Sequence, residues 1–131
     1  ADPNAIVVAT ACAQAVERIG MPEAQIILSQ AATYVACAPK SNSAVNAIFA
    51  AMDAVKHEDT GPVPVYLRDA HYGGAAKLGH TGYKYAHDYP NHYVDQQYLP
   101  DNLAGRVFYE PSDNGYEKNI QEYFRKIKNI D

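Results

Sequence analysis

Residues 79–90, GHTGYKYAHDYP, carry the densest set of chemically capable side chains in the chain: His80, Tyr83, Lys84, Tyr85, His87, Asp88 and Tyr89. Such a set suits general acid–base work or metal ligation by imidazole. It also suits base stacking on aromatic rings, or a loop packed on its own tyrosines. Catalysis by a triad needs a nucleophile, a base and an orienting acid that meet in space. Asp88, Asp95 and several histidines are at hand, but no serine or cysteine lies in a GxSxG elbow. GGAAKLGH has glycines and a lysine without the GxxxxGK[ST] phosphate loop, and there is no GxGxxG. No catalytic residue is therefore assigned. His71, His80, His87 and His92 match neither HExxH nor a zinc-finger spacing, so no metal ligand is assigned either.

Two readings of the loop stay open. Tyr83, Lys84, Tyr85 and Tyr89, with His80 and His87, combine rings and a cation, the ingredients of single-strand binding or of a partner-docking surface. Alternatively the same tyrosines pin a long loop, each burying a ring while its hydroxyl finds a partner. Packing is the favoured of the two.

The elements that must position this loop are mostly helical. Asp2-Pro3 reads as an N-cap followed by a first-turn proline, and the helix it opens ends at Gly20. Met21-Pro22-Glu23 starts a second helix that stops before Pro39. Ser41 or Asn42 caps a third, reaching about His57. PVPVYL (62–67) reads as extended, with prolines confining any strand to an edge. HYVDQQYL (92–99) and RVFYE (106–110), joined by PDNLAG, predict a small β-hairpin. A last helix begins near Asn114, with Tyr116, Ile120, Tyr123, Phe124 and Ile127 on one face. One domain results, with three Ala-rich helices over 1–58, loop and hairpin over 59–111, and a C-terminal helix over 112–131.

The first and third helices, AIVVATACAQAV and AVNAIFAAMDAV, are apolar almost all round. A helix of that kind is buried on more than one side. A small domain cannot easily enclose three of them, so part of this surface is expected to meet another copy or another domain. Ile6, Val7, Ala11, Ile48, Phe49 and Met52 are the expected core or subunit contacts. Cys12 and Cys37 sit in no ligand motif, and their levels on neighbouring antiparallel helices differ by about 12 Å. Both read as small core residues rather than a disulfide.

Bulk properties narrow the class further. The 131 residues suit one domain, and 15 acidic against 11 basic residues give a net charge of −4. That balance counts against a dominant phosphate-binding role, although Arg125, Lys126 and Lys128 cluster near the end. No apolar run has the length of a membrane span, and no basic region precedes an apolar stretch as in a signal peptide. The start ADPNA, leading directly into a helix, reads as a piece of a longer cytoplasmic protein.

Several long motifs then point one way. AQAVERIGMPEAQIILSQAATYVACAPKSNSA (13–44), PVPVYLRDA, GYKYAHDYP and QQYLPDNLAGRVFYEPSDNGYE resemble, in order, the C-terminal domain of the MgsA/RarA replication-associated recombination ATPases. That family is similar in turn to the Werner-helicase-interacting ATPases of eukaryotes. Ala86 departs from the family's usual proline in YKYPHDYP. The resemblance implies a mainly α, clamp-loader collar-like domain following an AAA+ module, which assembles a DNA-dependent ATPase of replication-fork maintenance, recombination and repair into a homotetramer. It implies ATP and Mg in the full-length parent and none in this chain. It implies DNA and replication proteins such as single-strand-binding protein as partners of the parent, and no membrane.

Overall fold

A computed structural model describes residues 1–128. Among the described residues the regular structure is α1 (Asn4–Ile19), α2 (Ala24–Cys37), α3 (Ser43–His57), α4 (Glu117–Lys128) and short 3-10 turns, with no strand. The chain forms two compact units. One holds Ala1–Ala44 and the segment from Pro111 onward; the other holds Val45–Glu110. The expected final helix reaches into 129–131, which lie outside the described residues.

In the first unit the helix ends obey their local signals. Asp2 Oδ1 accepts the Asn4 N–H at 2.8 Å, satisfying a donor that the helix itself leaves unpaired. Pro3 is already helical, with φ −64°. Gly20 closes α1 at φ +74°, its N–H donating to the Val16 carbonyl. α1 and α2 pack on each other, and at their seam Ala24 and Ala31 are buried. Alanine at those positions lets two helix backbones approach. Cys12 is half-buried, its thiol 3.7 Å from the Ile27 carbonyl oxygen, whereas Cys37 is exposed. Both thiols are free, and the expectation that Cys37 is a core residue is corrected. It is the last residue of α2 and its side chain is exposed.

One further expectation changes here. α4 starts at Glu117, not near Asn114: the Asn114 side chain donates to the Lys40 carbonyl, the Asn114 N–H to Ser112 Oγ and the Tyr116 N–H to the Ala1 carbonyl, which holds 112–116 out of the helix. Its apolar face is only partly covered: Tyr116 and Tyr123 are exposed, while Ile120 and Ile127 are half-buried.

The second unit holds most of α3 and the loops that follow it, with Ala54 of α3 and Ala75, Val94 and Leu103 of the loops buried. The predicted hairpin is absent. Two carbonyls of its first strand are taken by side chains from elsewhere in the unit. The Tyr66 hydroxyl donates to the Gln97 carbonyl, and Lys84 Nζ donates to the Asp95 carbonyl at 3.2 Å. Between the would-be strands Asp101–Leu103 forms a 3-10 turn, not the two-residue turn that favours a hairpin. Val65–Leu67 is likewise a 3-10 turn, so only the start of PVPVYL is extended.

The excursion after α3 is fastened at its base. Arg106 Nη1 donates to both carboxylate oxygens of Glu58 at 2.8 Å, across 48 residues of sequence. Asn102 Nδ2 donates to the Asp59 carbonyl at 2.8 Å. Gly61 lies against that Asn102 side chain at φ +73°, where a Cβ would come within 3.1 Å of Nδ2. Glycine suits both the backbone conformation and the tight space.

Candidate functional site

Three surfaces carry the chemistry available to the chain. The first is apolar. On α1, Ile6 is 73% exposed and Val7 60%; Ala11 is exposed as well. On α3, Phe49 is 68% exposed and Ile48 55%, with Met52 also exposed. None of the six is core in the single chain. Ordinary monomers show exposed apolar residues singly, but not as repeated turns of one helix face. The three positions on α1 have the i, i+1, i+5 spacing of one side of a helix, and those on α3 have i, i+1, i+4.

The second surface is the tyrosine loop, and its candidates divide into two groups. His80 and Lys84 are used internally. His80 Nδ1 lies 3.0 Å from both the Tyr72 hydroxyl and the Asp69 carbonyl oxygen, and its ring meets that of Tyr72 edge-on. Asp69 also accepts the His71 N–H, which holds its carboxyl below the usual range, with help from the His71 ring. The Lys84 N–H donates to Gln96 Oε1 at 2.8 Å, adding to the ammonium's bond to Asp95. The other candidates face outward. Tyr83 and Tyr85 are more than half exposed, and Tyr89 and His87 are exposed. The rings of Tyr85, His87 and His92 form a run with successive centroids 5.0 Å apart. Asn91 and His92 hold positive φ of 57° and 53°, which turns the chain at the end of this run. Among the described residues no group of three or more His, Cys, Asp or Glu side chains is placed to hold a metal ion.

The third feature is a polar knot that no local motif marks. Glu117, at the first position of α4, is buried. Its Oε2 accepts the Ser112 N–H at 2.7 Å and the Ser41 hydroxyl at 2.8 Å. Hydrogen bonds from Ser112, then from Ser41 and Ser43, outweigh burial and bring its carboxyl down to about 2. Ser41 also accepts the Ser43 N–H at 3.1 Å, capping α3 as expected. Asn114 Nδ2 donates to the Lys40 carbonyl at 3.0 Å, and the Lys40 ammonium caps α2 through the Val35, Ala36 and Ala38 carbonyls. Ser41 and Glu117 stand 76 residues apart, so only the cap at Ser41 is legible in the sequence.

These features define a mainly helical domain whose large apolar side chains face outward and whose polar groups are spent on bracing. The family model described as MgsA AAA+ ATPase C terminal matches residues 1–128. An uncharacterized AAA domain-containing protein of Mycobacterium tuberculosis is 47% identical over 131 residues, covering 99% of this chain. The replication-associated recombination protein A of Bacillus subtilis is 43% identical over 87% of the chain, and that of Escherichia coli K12 37% identical over 93%. The chain belongs to the MgsA AAA+ ATPase C-terminal family. It spans 29%, 28% and 28% of the length of those three relatives. Among the described residues no helix is long and apolar enough to cross a membrane.

Proposed function

We propose that this domain is a non-catalytic, collar-like assembly element that gathers copies of a longer AAA+ ATPase into a homotetramer. The observation that carries the reading is that each unit has an outward apolar helix face of its own, Ile6, Val7 and Ala11 on α1 and Ile48, Phe49 and Met52 on α3, offered as contacts. Water-exposed area of this kind is worth about 25 cal/mol per Å² when covered, and a second copy is one way to cover it. In the longer protein ATP and Mg are held by the AAA+ module, and the assembled ring or collar acts on DNA during replication-associated recombination and repair. The test is the solution mass of the chain by light scattering or sedimentation. Four times the chain mass of 14.4 kDa is expected, and a monomer at micromolar concentration sinks the reading.

A second reading has its own support in the outward rings of Tyr83 and Tyr85 and the run Tyr85–His87–His92. In it the loop docks single-stranded DNA or a replication protein such as single-strand-binding protein. Base stacking on an aromatic ring is worth roughly 1–3 kcal/mol per base. The acidic balance of the chain opposes it. Measuring binding of a fluorescent single-stranded oligonucleotide at low salt decides the matter; absence of binding removes this reading.

A further inference from the structure

The geometry points to the polar knot as a coupling joint, which fastens the chain entering at Ala1 to the first turn of α4 so that displacement upstream is delivered to that helix. This rests on the reading above that an AAA+ module precedes Ala1 in the longer protein.

Ends of domains are loose unless something ties them down. Ala1 and Asp2 are tied to the first unit through both backbone groups of Ala1 and both carboxylate oxygens of Asp2. The Ala1 nitrogen donates to the Pro39 carbonyl at 3.1 Å. The Ala1 carbonyl accepts the Tyr116 N–H at 2.8 Å. Asp2 Oδ2 accepts the Tyr34 hydroxyl at 2.8 Å, while its other oxygen caps α1. Three stretches distant in sequence, at 1–2, 38–43 and 111–117, therefore meet around one point.

Gly115 makes the meeting close. A Cβ there would lie 2.6 Å from the Ala1 carbonyl oxygen and 3.0 Å from Pro39 Cβ, and φ is +50°. Backbone atoms cannot swing aside as a side-chain tip does, so the entering strand and the start of α4 move together or the contact breaks. Beyond the joint, α4 has an apolar face that is only partly covered and a basic last turn of Arg125, Lys126 and Lys128. A helix tied by hydrogen bonds at its first turn, and again where Gln121 Nε2 donates to the Pro111 carbonyl at 2.8 Å, with part of its face uncovered, is suited to carry a displacement outward.

The experiment uses the full-length protein and tracks amide hydrogen exchange over 112–128, with and without Mg–ATP. In the wild type, nucleotide is expected to change exchange at Tyr116 and along α4 by severalfold. Gly115→Ala is expected to abolish that response. Gly105→Ala, which has a similar φ of +75° but no atom within 4 Å of the added carbon, is expected to retain it. Asn114→Ala, which removes only the bond to the Lys40 carbonyl, supplies a milder lesion should Gly115→Ala not fold, and is expected to reduce the response. Solution mass is measured on the same samples. A wild type without nucleotide-dependent exchange at 112–128 overturns the proposal, as does a full response in both Gly115→Ala and Asn114→Ala. Loss of the tetramer in the folded variants would also overturn it, since the knot would then serve assembly. A wild type that is monomeric yet still shows the response would overturn the assembly reading and leave the joint standing.

Discussion

The paired helices α1 and α2 and the loop over residues 68–92 satisfy their backbones in opposite ways. In the helices each carbonyl finds an N–H four residues on, so the side chains remain free to face outward. Ile6, Val7 and Ile26 are accordingly exposed. In the loop there is no ladder, and buried backbone groups still need partners. His80 and Gln96 supply them at the Asp69 carbonyl and the Lys84 N–H, and Tyr66 and the Lys84 ammonium do the same for the Gln97 and Asp95 carbonyls just beyond the loop. The loop looks richer in chemistry, yet much of that chemistry is internal. The helices look bland and carry the larger uncommitted surface.

The largest expected effect falls on the helices. Ile6→Asp on α1, or Phe49→Asp on α3, should weaken assembly by roughly 30-fold or more, the loss typical of a central apolar contact. Sedimentation over a concentration series checks it, and an unchanged tetramer would shift the interface elsewhere. Next comes the helix seam. Ala24 has no exposed surface, so Ala24→Leu should overpack it and cost about 1–3 kcal/mol of stability by thermal melting.

The knot ranks third and has a sign in pH. The Glu117 carboxyl is at about 2 in the fold, below its ordinary 4.5, so its contribution is complete above 4.5 and is lost as pH falls toward 2. Glu117→Gln should lower the melting temperature at pH 7, and the gap to wild type should close over that acid window. A gap that is constant with pH would show that the carboxylate's charge is not what matters. The smallest effects belong to the loop. Tyr83→Ala should change stability by no more than about 0.5 kcal/mol, being a surface substitution. It sharpens the comparison only through oligonucleotide binding: a drop in affinity would return function to the loop.

Legibility in the sequence divides along the same line. The helix ends are legible because Asp2, Gly20, Pro39 and Ser41 act within a few residues of themselves. The stretch HYVDQQYL carries the tyrosines and valine that strands favour, but its Asp95 and Gln97 carbonyls are claimed by Lys84 and Tyr66, partners that no local pattern announces. Cys37 reads as core because its helix is apolar, yet at the last position of α2 it is exposed. In the loop, the residue types are visible but not their use: His80 and Lys84 are braces, whereas Tyr83 and Tyr85 face solvent.

The bond between Glu58 and Arg106 has a consequence for engineering. It brings together the two ends of an excursion 48 residues apart in sequence, so everything between them hangs from a closed base. The entropic cost of lengthening such an excursion rises slowly, by about 0.6 kcal/mol for each doubling. The bend at Asn91–His92 is thus a natural place to graft a reporter peptide or a foreign binding loop. The helices would not have to be redesigned to receive it.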